Sequence, residues 1–211
     1  MSKYNKYIYC GGVSINYLEK IEELIKQQNG TILSADLDKY GIPRKYLQRL
    51  IFEGKLEMCK RGVYVAIDAI EDEMFAMQKK YLKIIYSHET ALFIHNLSER
   101  TPFEYSATVP SGYKVVSNVA ERFKIYYIKK ELHELGVVST NSSFGNQIRV
   151  YNIERTICDI IKSRSRIDIQ ILNKALRRYV KIKSSDYSLL MDYAKKLKIE
   201  TVLKNYLEVI L

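Results

Sequence analysis

Apolar residues recur with a helical period near the start of the chain. Leu18, Ile21, Leu24 and Ile25 share one face of a predicted helix, and the following Asn-Gly pair is a typical helix end. Ser34 is a suitable cap for a second, short helix, and a proline tolerated at a helix start precedes a third. Two strands joined by a basic turn follow. The predicted elements are helices over residues 17–28, 35–40 and 43–52 and strands over residues 56–59 and 63–66.

Helix, helix, tight turn, helix and β-ribbon is the order of a winged helix-turn-helix, whose third helix enters the DNA major groove. Polar side chains fall away from the apolar stripe of that helix: Arg44, Lys45, Gln48 and Arg49. Lys60 and Arg61 lie at the tip of the ribbon, where they can reach flanking phosphates. The sequence therefore predicts DNA binding through these six residues. The alternative is a small helical domain with a solvated polar face.

The rest of the chain mixes periods of strands and helices. A helix over residues 70–85 is predicted to connect the first module to a second domain. In that domain we expect a helix over residues 88–96, strands over 103–109, 122–129, 137–140 and 147–151, and helices over 153–162, 168–182, 186–197 and 200–211. The fold class is therefore α+β, with a winged helix-turn-helix over residues 1–66, a helical connection over 67–85 and a mixed α/β domain with a helical end over 86–211.

The positive charge is concentrated at the two ends of the chain. The formal net charge is +10, and it divides into +4 for residues 1–66, −1 for residues 67–161 and +7 for residues 162–211. A polarised surplus of this kind favours an anionic partner such as nucleic acid.

Part of that surplus is grouped on the predicted helix 168–182. Four cations recur there with a spacing of three or four residues, which stacks them on one face: Lys174, Arg177, Arg178 and Lys181. We predict that this face also binds DNA. A solvated face and a surface for a protein partner are the alternatives.

The cysteines and the hydropathy indicate a cytoplasmic protein. Cys10, Cys59 and Cys158 are far apart and odd in number, which argues against a disulfide framework and against a zinc site. No apolar run is long enough for a membrane span, and the N-terminal residues lack the apolar core of a signal peptide.

Side chains that suggest enzymatic chemistry do not form a recognisable site. His88 and His95 are seven residues apart, so the metalloprotease spacing of two histidines is absent. Glu154 and Asp159 point to different faces of one helix, and Arg155 is expected to pair with a nearby acid. We therefore predict that the protein is not an enzyme, with no catalytic residue, no metal ligand and no cofactor.

Two long stretches, together with the predicted winged helix over residues 35–65, resemble one known family. SHETALFIHNLSERTPFEYSATVPSGY (residues 87–113) and VYNIERTICDIIKSRSRIDIQILNKALRRYV (residues 150–180) are similar to the C-terminal domain of AbiEi-type antitoxins. The resemblance covers nearly the whole chain except about its first sixteen residues.

The resemblance implies a bacterial antitoxin of a type IV toxin–antitoxin pair, active in abortive infection and phage defence. Such an antitoxin opposes a nucleotidyltransferase-like toxin, without necessarily forming a stable complex with it, and represses its own operon by binding inverted repeats in double-stranded promoter DNA. The antitoxic activity would belong to the C-terminal domain. Two alternatives stay open: a plain transcriptional regulator whose C-terminal domain senses a ligand or oligomerises, and a C-terminal domain with nuclease or nucleotidyltransferase activity.

Overall fold

The computed structural model describes residues 7–10, 13–116 and 121–210, with side chains from Asn16 onward. The first six residues of the predicted N-terminal domain and the last residue of the final predicted helix lie outside this range. The chain divides into two compact units. The first comprises Met1–Leu82 and Asn141–Ile148, and the second comprises Lys83–Thr140 and Arg149–Leu211.

The first unit begins with an antiparallel hairpin and continues as a winged helix-turn-helix. The elements are β1 (Tyr7–Cys10), β2 (Val13–Asn16), α1 (Tyr17–Gln27), β3 (Thr31–Leu33), α2 (Ser34–Asp38), α3 (Lys45–Phe52), β4 (Leu56–Lys60), β5 (Val63–Ala66) and α4 (Glu73–Lys80). The hairpin of β1 and β2 was not predicted. The strand β3 was not predicted either, and it joins the predicted ribbon of β4 and β5 in a three-stranded antiparallel sheet of order β3-β5-β4.

The predicted apolar faces form the core of this unit. Ile21 and Leu24 of α1 pack with Leu47 and Leu50 of α3 in one buried cluster, and all four side chains are at most 5% exposed. Burying such side chains is what holds short helices together, because isolated helices of eight or eleven residues are marginal in water. The period of the sequence therefore places the polar face of α3 outward.

A tight turn connects α2 to α3. Gly41 adopts a left-handed conformation (φ +61°), and Ile42 donates its backbone N–H to the Leu37 carbonyl over 3.0 Å, which closes the end of α2. The helix begins at Lys45 rather than at Pro43, since Arg44 occupies the N-cap position. The turn thus places the end of α2 close to the start of α3.

The second unit is built on a mixed five-stranded sheet. The elements are β6 (Ile85–Tyr86), α5 (His88–Ile94), β7 (Tyr105–Pro110), β8 (Phe123–Ile128), α6 (Lys130–His133), β9 (Val137–Asn141), β10 (Gln147–Tyr151), α7 (Ile153–Lys162), a 3-10 turn (Arg164–Arg166), α8 (Ile169–Tyr179), α9 (Tyr187–Lys196) and α10 (Glu200–Ile210). Asn141 of β9 and Gln147–Ile148 of β10 are counted with the first unit. The strand order is β8-β7-β6-β10-β9, in which β7 runs parallel to β8 and antiparallel to β6, and β10 runs parallel to β6. The predicted α+β class is confirmed.

Two predicted helices are shorter than their periodicity indicated. The connection predicted as a helix over residues 70–85 contains only α4, because Asp72 caps its first turn and Ile85–Tyr86 is taken up as the buried central strand β6. The predicted helix 168–182 ends at Tyr179. Lys181 and Ile182 then donate to carbonyls three residues back, at Arg178 and Tyr179, so the backbone has left the α-helical pattern.

A buried ion pair lies within the helical core of the second unit. Arg155 and Asp159, one turn apart on α7, are joined by an Nε–Oδ1 hydrogen bond of 3.0 Å, which confirms that Arg155 pairs with a nearby acid. Arg155 also donates from Nη1 to the carbonyls of Leu132 and Leu135 over 2.9 and 2.7 Å. Burial raises the pKa of Asp159, and the neighbouring Arg155 opposes that rise.

Candidate nucleic-acid interface

The surface of α3 has the composition expected of a DNA-reading helix. Tyr46, Leu47 and Leu50 are buried on the inner side of the helix. The four side chains predicted to read DNA are all exposed: Arg44, Lys45, Gln48 and Arg49. The structure therefore brings the predicted residues together on one accessible face of α3.

The two arginines of this face are each held by an acid. Arg44 donates from Nε and Nη2 to the two carboxylate oxygens of Asp38 over 3.3 and 2.7 Å. That guanidinium lowers the pKa of the Asp38 carboxyl. Arg49 donates from Nε to Glu53 over 2.7 Å, one turn further along the helix. The sequence pattern did not single out Asp38 or Glu53 as partners of the predicted reading residues.

Lys45 and Gln48 lie between those two pairs. The Lys45 ammonium lies 5.7 Å from the centre of the Tyr46 ring. Within the described part of the chain, neither Lys45 nor Gln48 forms a side-chain hydrogen bond or an ion pair. Both are thus free to donate to an incoming ligand.

The ribbon that follows α3 carries two basic residues with different surroundings. Lys60, at the end of β4, contacts Glu71 and Glu73 over 3.0 and 2.8 Å. Burial disfavours its charged form, but the hydrogen bonds to Glu73 and Glu71 prevail and raise the pKa of Lys60. Arg61 is exposed at the turn and has no ion-pair partner among the described residues. Arg61 is therefore the more available of the two for a phosphate.

The predicted basic face of the second unit is only partly formed on a helix. Lys174 and Arg177 are exposed on α8, whereas Lys181 lies in the turn after the helix end. Arg178 is engaged, since it pairs with Glu99 and donates from Nη1 to the Asn96 carbonyl over 3.4 Å. The four cations are therefore not equivalent. Lys174, Arg177 and Lys181 have no ion-pair partner among the residues that the structure describes, whereas Arg178 ties α8 to the segment after α5.

The histidines of the second unit are taken up by hydrogen bonds inside it. His88, buried at the start of α5, contacts the Ser87 and Ser163 hydroxyls over 2.9 and 3.0 Å and stacks on Tyr126. The His95 Nε2 atom lies 2.7 Å from the Tyr151 carbonyl. Burial and then the nearby charges of Arg155, Arg166 and Lys124 hold the pKa of His88 well below its ordinary value. Among the described residues, no cluster of His, Cys, Asp and Glu side chains could hold a metal ion.

The buried Asp72 carboxylate forms hydrogen bonds with α4 and with a segment that is distant in sequence. Asp72 caps α4 by accepting from the Phe75 N–H over 3.1 Å, and its own N–H donates to the Thr31 hydroxyl over 3.1 Å. Its second oxygen accepts from Asn146 over 2.9 Å and from the Ser142 hydroxyl. Ser142 and Asn146 belong to the same unit as Asp72. Because they lie 70 and 74 residues away from it in the chain, local sequence patterns gave no signal of the contact.

Residues 19–67 match a protein-family model described as "Transcriptional regulator, AbiEi antitoxin". The match runs from Glu19 in α1 to Ile67, just after β5, and confirms the family resemblance for this part of the chain. A crystal structure of the RV2827C protein from Mycobacterium tuberculosis is similar over 91% of this chain and 80% of that chain, with 10% sequence identity and a TM-score of 0.48. No curated protein sequence matches the chain.

The family match supports a regulatory antitoxin role. The family model is described as one of transcriptional regulators. None of the helices in the described part of the chain is both long and apolar enough to cross a membrane.

Proposed function

We propose that the protein is the antitoxin of a type IV toxin–antitoxin pair and that it represses its own operon by binding inverted repeats in the promoter. The observation that carries the proposal is the exposed polar face of α3, within a segment that matches an antitoxin regulator family. An α-helix fits the major groove, and Arg, Lys and Gln side chains supply donors for base edges and phosphates.

In this proposal the exposed face of α3 contacts base edges, and the ribbon of β4 and β5, which is the wing of the winged helix, contacts the phosphate backbone. Arg44 and Lys45 lie at the N-terminal end of the helix, which is the end that docks against bases in helix-turn-helix proteins. Arg61 at the wing tip contacts a flanking phosphate, and Lys60 joins it if its pairs with Glu71 and Glu73 open. Inverted repeats would then engage two copies of the chain, one on each half-site.

The second unit would carry the antitoxic activity against a nucleotidyltransferase-like toxin in the cytoplasm. Its available cations on and after α8 (Lys174, Arg177 and Lys181) would add phosphate contacts to the same DNA. A plain transcriptional regulator with a ligand-sensing or oligomerising second unit is the alternative. The two functions differ in their genetic neighbour, since only the antitoxin needs a toxin gene beside it.

Co-expression separates these functions. Cells carrying the neighbouring gene under an inducible promoter would be scored for growth with and without the full-length chain, while a reporter driven by the native promoter records repression. Growth rescue together with repression supports the proposal. Repression without any toxicity of the neighbouring gene would favour the plain regulator. Growth rescue without repression would contradict the proposal that the protein binds its operator.

A further inference from the structure

The contact between α2 and α3 bears on how the helix reads DNA. The left-handed Gly41 folds the chain back so that Asp38, the last residue of α2, lies beside Arg44, the N-cap of α3. The Arg44 side chain is 65% exposed and that of Asp38 is 51% exposed, so both remain accessible to a ligand.

The geometry of the pair leaves one edge of the guanidinium open. Asp38 occupies the edge formed by Nε and Nη2. The Nη1 atom has no hydrogen-bond partner among the described residues, and Nη2 keeps its second N–H. The Nη1–Nη2 edge is one of the two-donor edges with which an arginine can contact O6 and N7 of guanine in the major groove.

We propose that Asp38 is a positioning residue that fixes Arg44 for bidentate recognition of guanine. This inference rests on the proposed function, because it assumes that α3 enters the major groove. Asp38 holds the long Arg44 side chain in one orientation before DNA arrives, so less rotamer freedom is lost on binding. Asp38 itself does not touch the base.

A positioning role and simple electrostatic repulsion predict different effects of changing Asp38 on DNA binding. A carboxylate close to DNA repels phosphates, so neutralising it should strengthen binding to any sequence. A positioning role instead requires that preference for the specific sequence falls when Asp38 is changed. The two effects therefore separate in the ratio of the two affinities.

The test uses the full-length chain, a duplex from the promoter directly upstream of its coding sequence, and a scrambled duplex of the same composition. Asp38→Asn and Asp38→Ala should lower the ratio of promoter affinity to scrambled affinity by about twofold to fivefold, the range expected from an exposed ion pair. Affinity for scrambled DNA should stay equal or rise. Asp68→Asn removes one exposed negative charge from the same unit and should leave the ratio unchanged.

A second arm identifies the base. Replacing guanine by 7-deazaguanine in the promoter duplex removes the N7 acceptor, and this should weaken wild-type binding more than binding of Asp38→Ala or Arg44→Ala. If wild type shows no preference for the promoter duplex, the proposed function fails before Asp38 is tested. If wild type prefers the promoter and both Asp38 variants keep the full preference and the full 7-deazaguanine effect, the positioning role is overturned.

Discussion

Asn146 donates a hydrogen bond of 2.9 Å from Nδ2 to the buried carboxylate of Asp72, across 74 residues of sequence. The same carboxylate oxygen accepts from Ser142, and Asn146 Oδ1 accepts from Asn29 over 3.2 Å. The first unit is therefore not a continuous N-terminal segment. It also includes Asn141–Ile148, whose Ser142 and Asn146 side chains bond to the Asp72 carboxylate that caps α4.

The Asp72 contacts predict an unequal effect of two neighbouring serines. Ser142→Ala should destabilise the protein by about 1–2 kcal/mol, because it removes a buried hydrogen bond to a charged group. Ser143→Ala, the same change at the adjacent exposed position, should stay within about 0.5 kcal/mol of wild type. Urea unfolding followed by far-UV circular dichroism measures both. Equal effects of the two substitutions would mean that the contact to Asp72 contributes nothing.

The buried pair of α7 predicts a strong effect of removing one partner. Arg155→Ala should cost about 3–5 kcal/mol, since it leaves the Asp159 carboxylate buried without its cation. The double variant Arg155→Met, Asp159→Leu should be less destabilised than Arg155→Ala, because it removes both charges together. The same unfolding experiment compares them. A double variant less stable than the single one would show that the pair itself stabilises the second unit.

His88 predicts a loss of stability in acid. Its pKa in the folded protein lies well below the ordinary value of about 6.5, so the unfolded chain takes up a proton that the folded chain does not. The stability attributable to neutral His88 is therefore present above about pH 6.5 and decreases as the pH falls below it. His88→Asn, chosen because asparagine tolerates the left-handed backbone at this position (φ +48°), should weaken this dependence.

The measurement is the free energy of unfolding of wild type and His88→Asn at about pH 7.5 and about pH 5.5. The difference between the two proteins isolates His88, because the other titrating groups are common to both. His95, whose pKa burial also lowers, should leave a residual acid sensitivity in the variant. Parallel pH profiles would contradict the assignment.

The period of apolar residues predicted correctly those helices and strands whose buried and exposed faces follow from their own sequence. The bounds of α7 and β5 agree with the sequence prediction, and those of α1 differ from it by one residue. The elements that depend on distant partners were missed or misplaced. The predicted helix 70–85 includes Ile85, which instead lies in β6, because β7 and β10 pair with this strand on both sides.

The same division holds for the candidate site. The exposed face of α3 follows from the buried stripe, so Arg44, Lys45, Gln48 and Arg49 could be placed from sequence. The ion pairs of Lys60 and Arg178 could not be predicted from the sequence, because their partners Glu73 and Glu99 lie 13 and 79 residues away in the chain. Charge counting alone therefore overstated the number of free cations.

The cations of the second unit predict a salt effect. Replacing Lys174, Arg177 and Lys181 by alanine should weaken binding to promoter and scrambled DNA alike. The slope of log affinity against log salt should fall by up to about 0.9 for each phosphate that the variant no longer neutralises. A control that replaces Lys114, Lys195 and Lys196, also exposed, removes the same charge elsewhere in the unit. Adding Arg178→Ala should chiefly lower stability, since Arg178 pairs with Glu99. Equal slopes for the variant and its control would assign the face to something other than DNA.

The central claim is that α3 reads promoter sequence, and one titration tests it most directly. Fluorescence anisotropy would compare the affinities of wild type, Arg44→Ala, Arg49→Ala and Lys26→Ala for promoter and scrambled duplexes. Lys26 is an exposed cation of α1, so its variant controls for the loss of one charge from the same unit. We predict that wild type and Lys26→Ala prefer the promoter, whereas each arginine variant loses about 1–3 kcal/mol of that discrimination. Arginine variants that keep the full wild-type preference would contradict the claim that this helix is the reader.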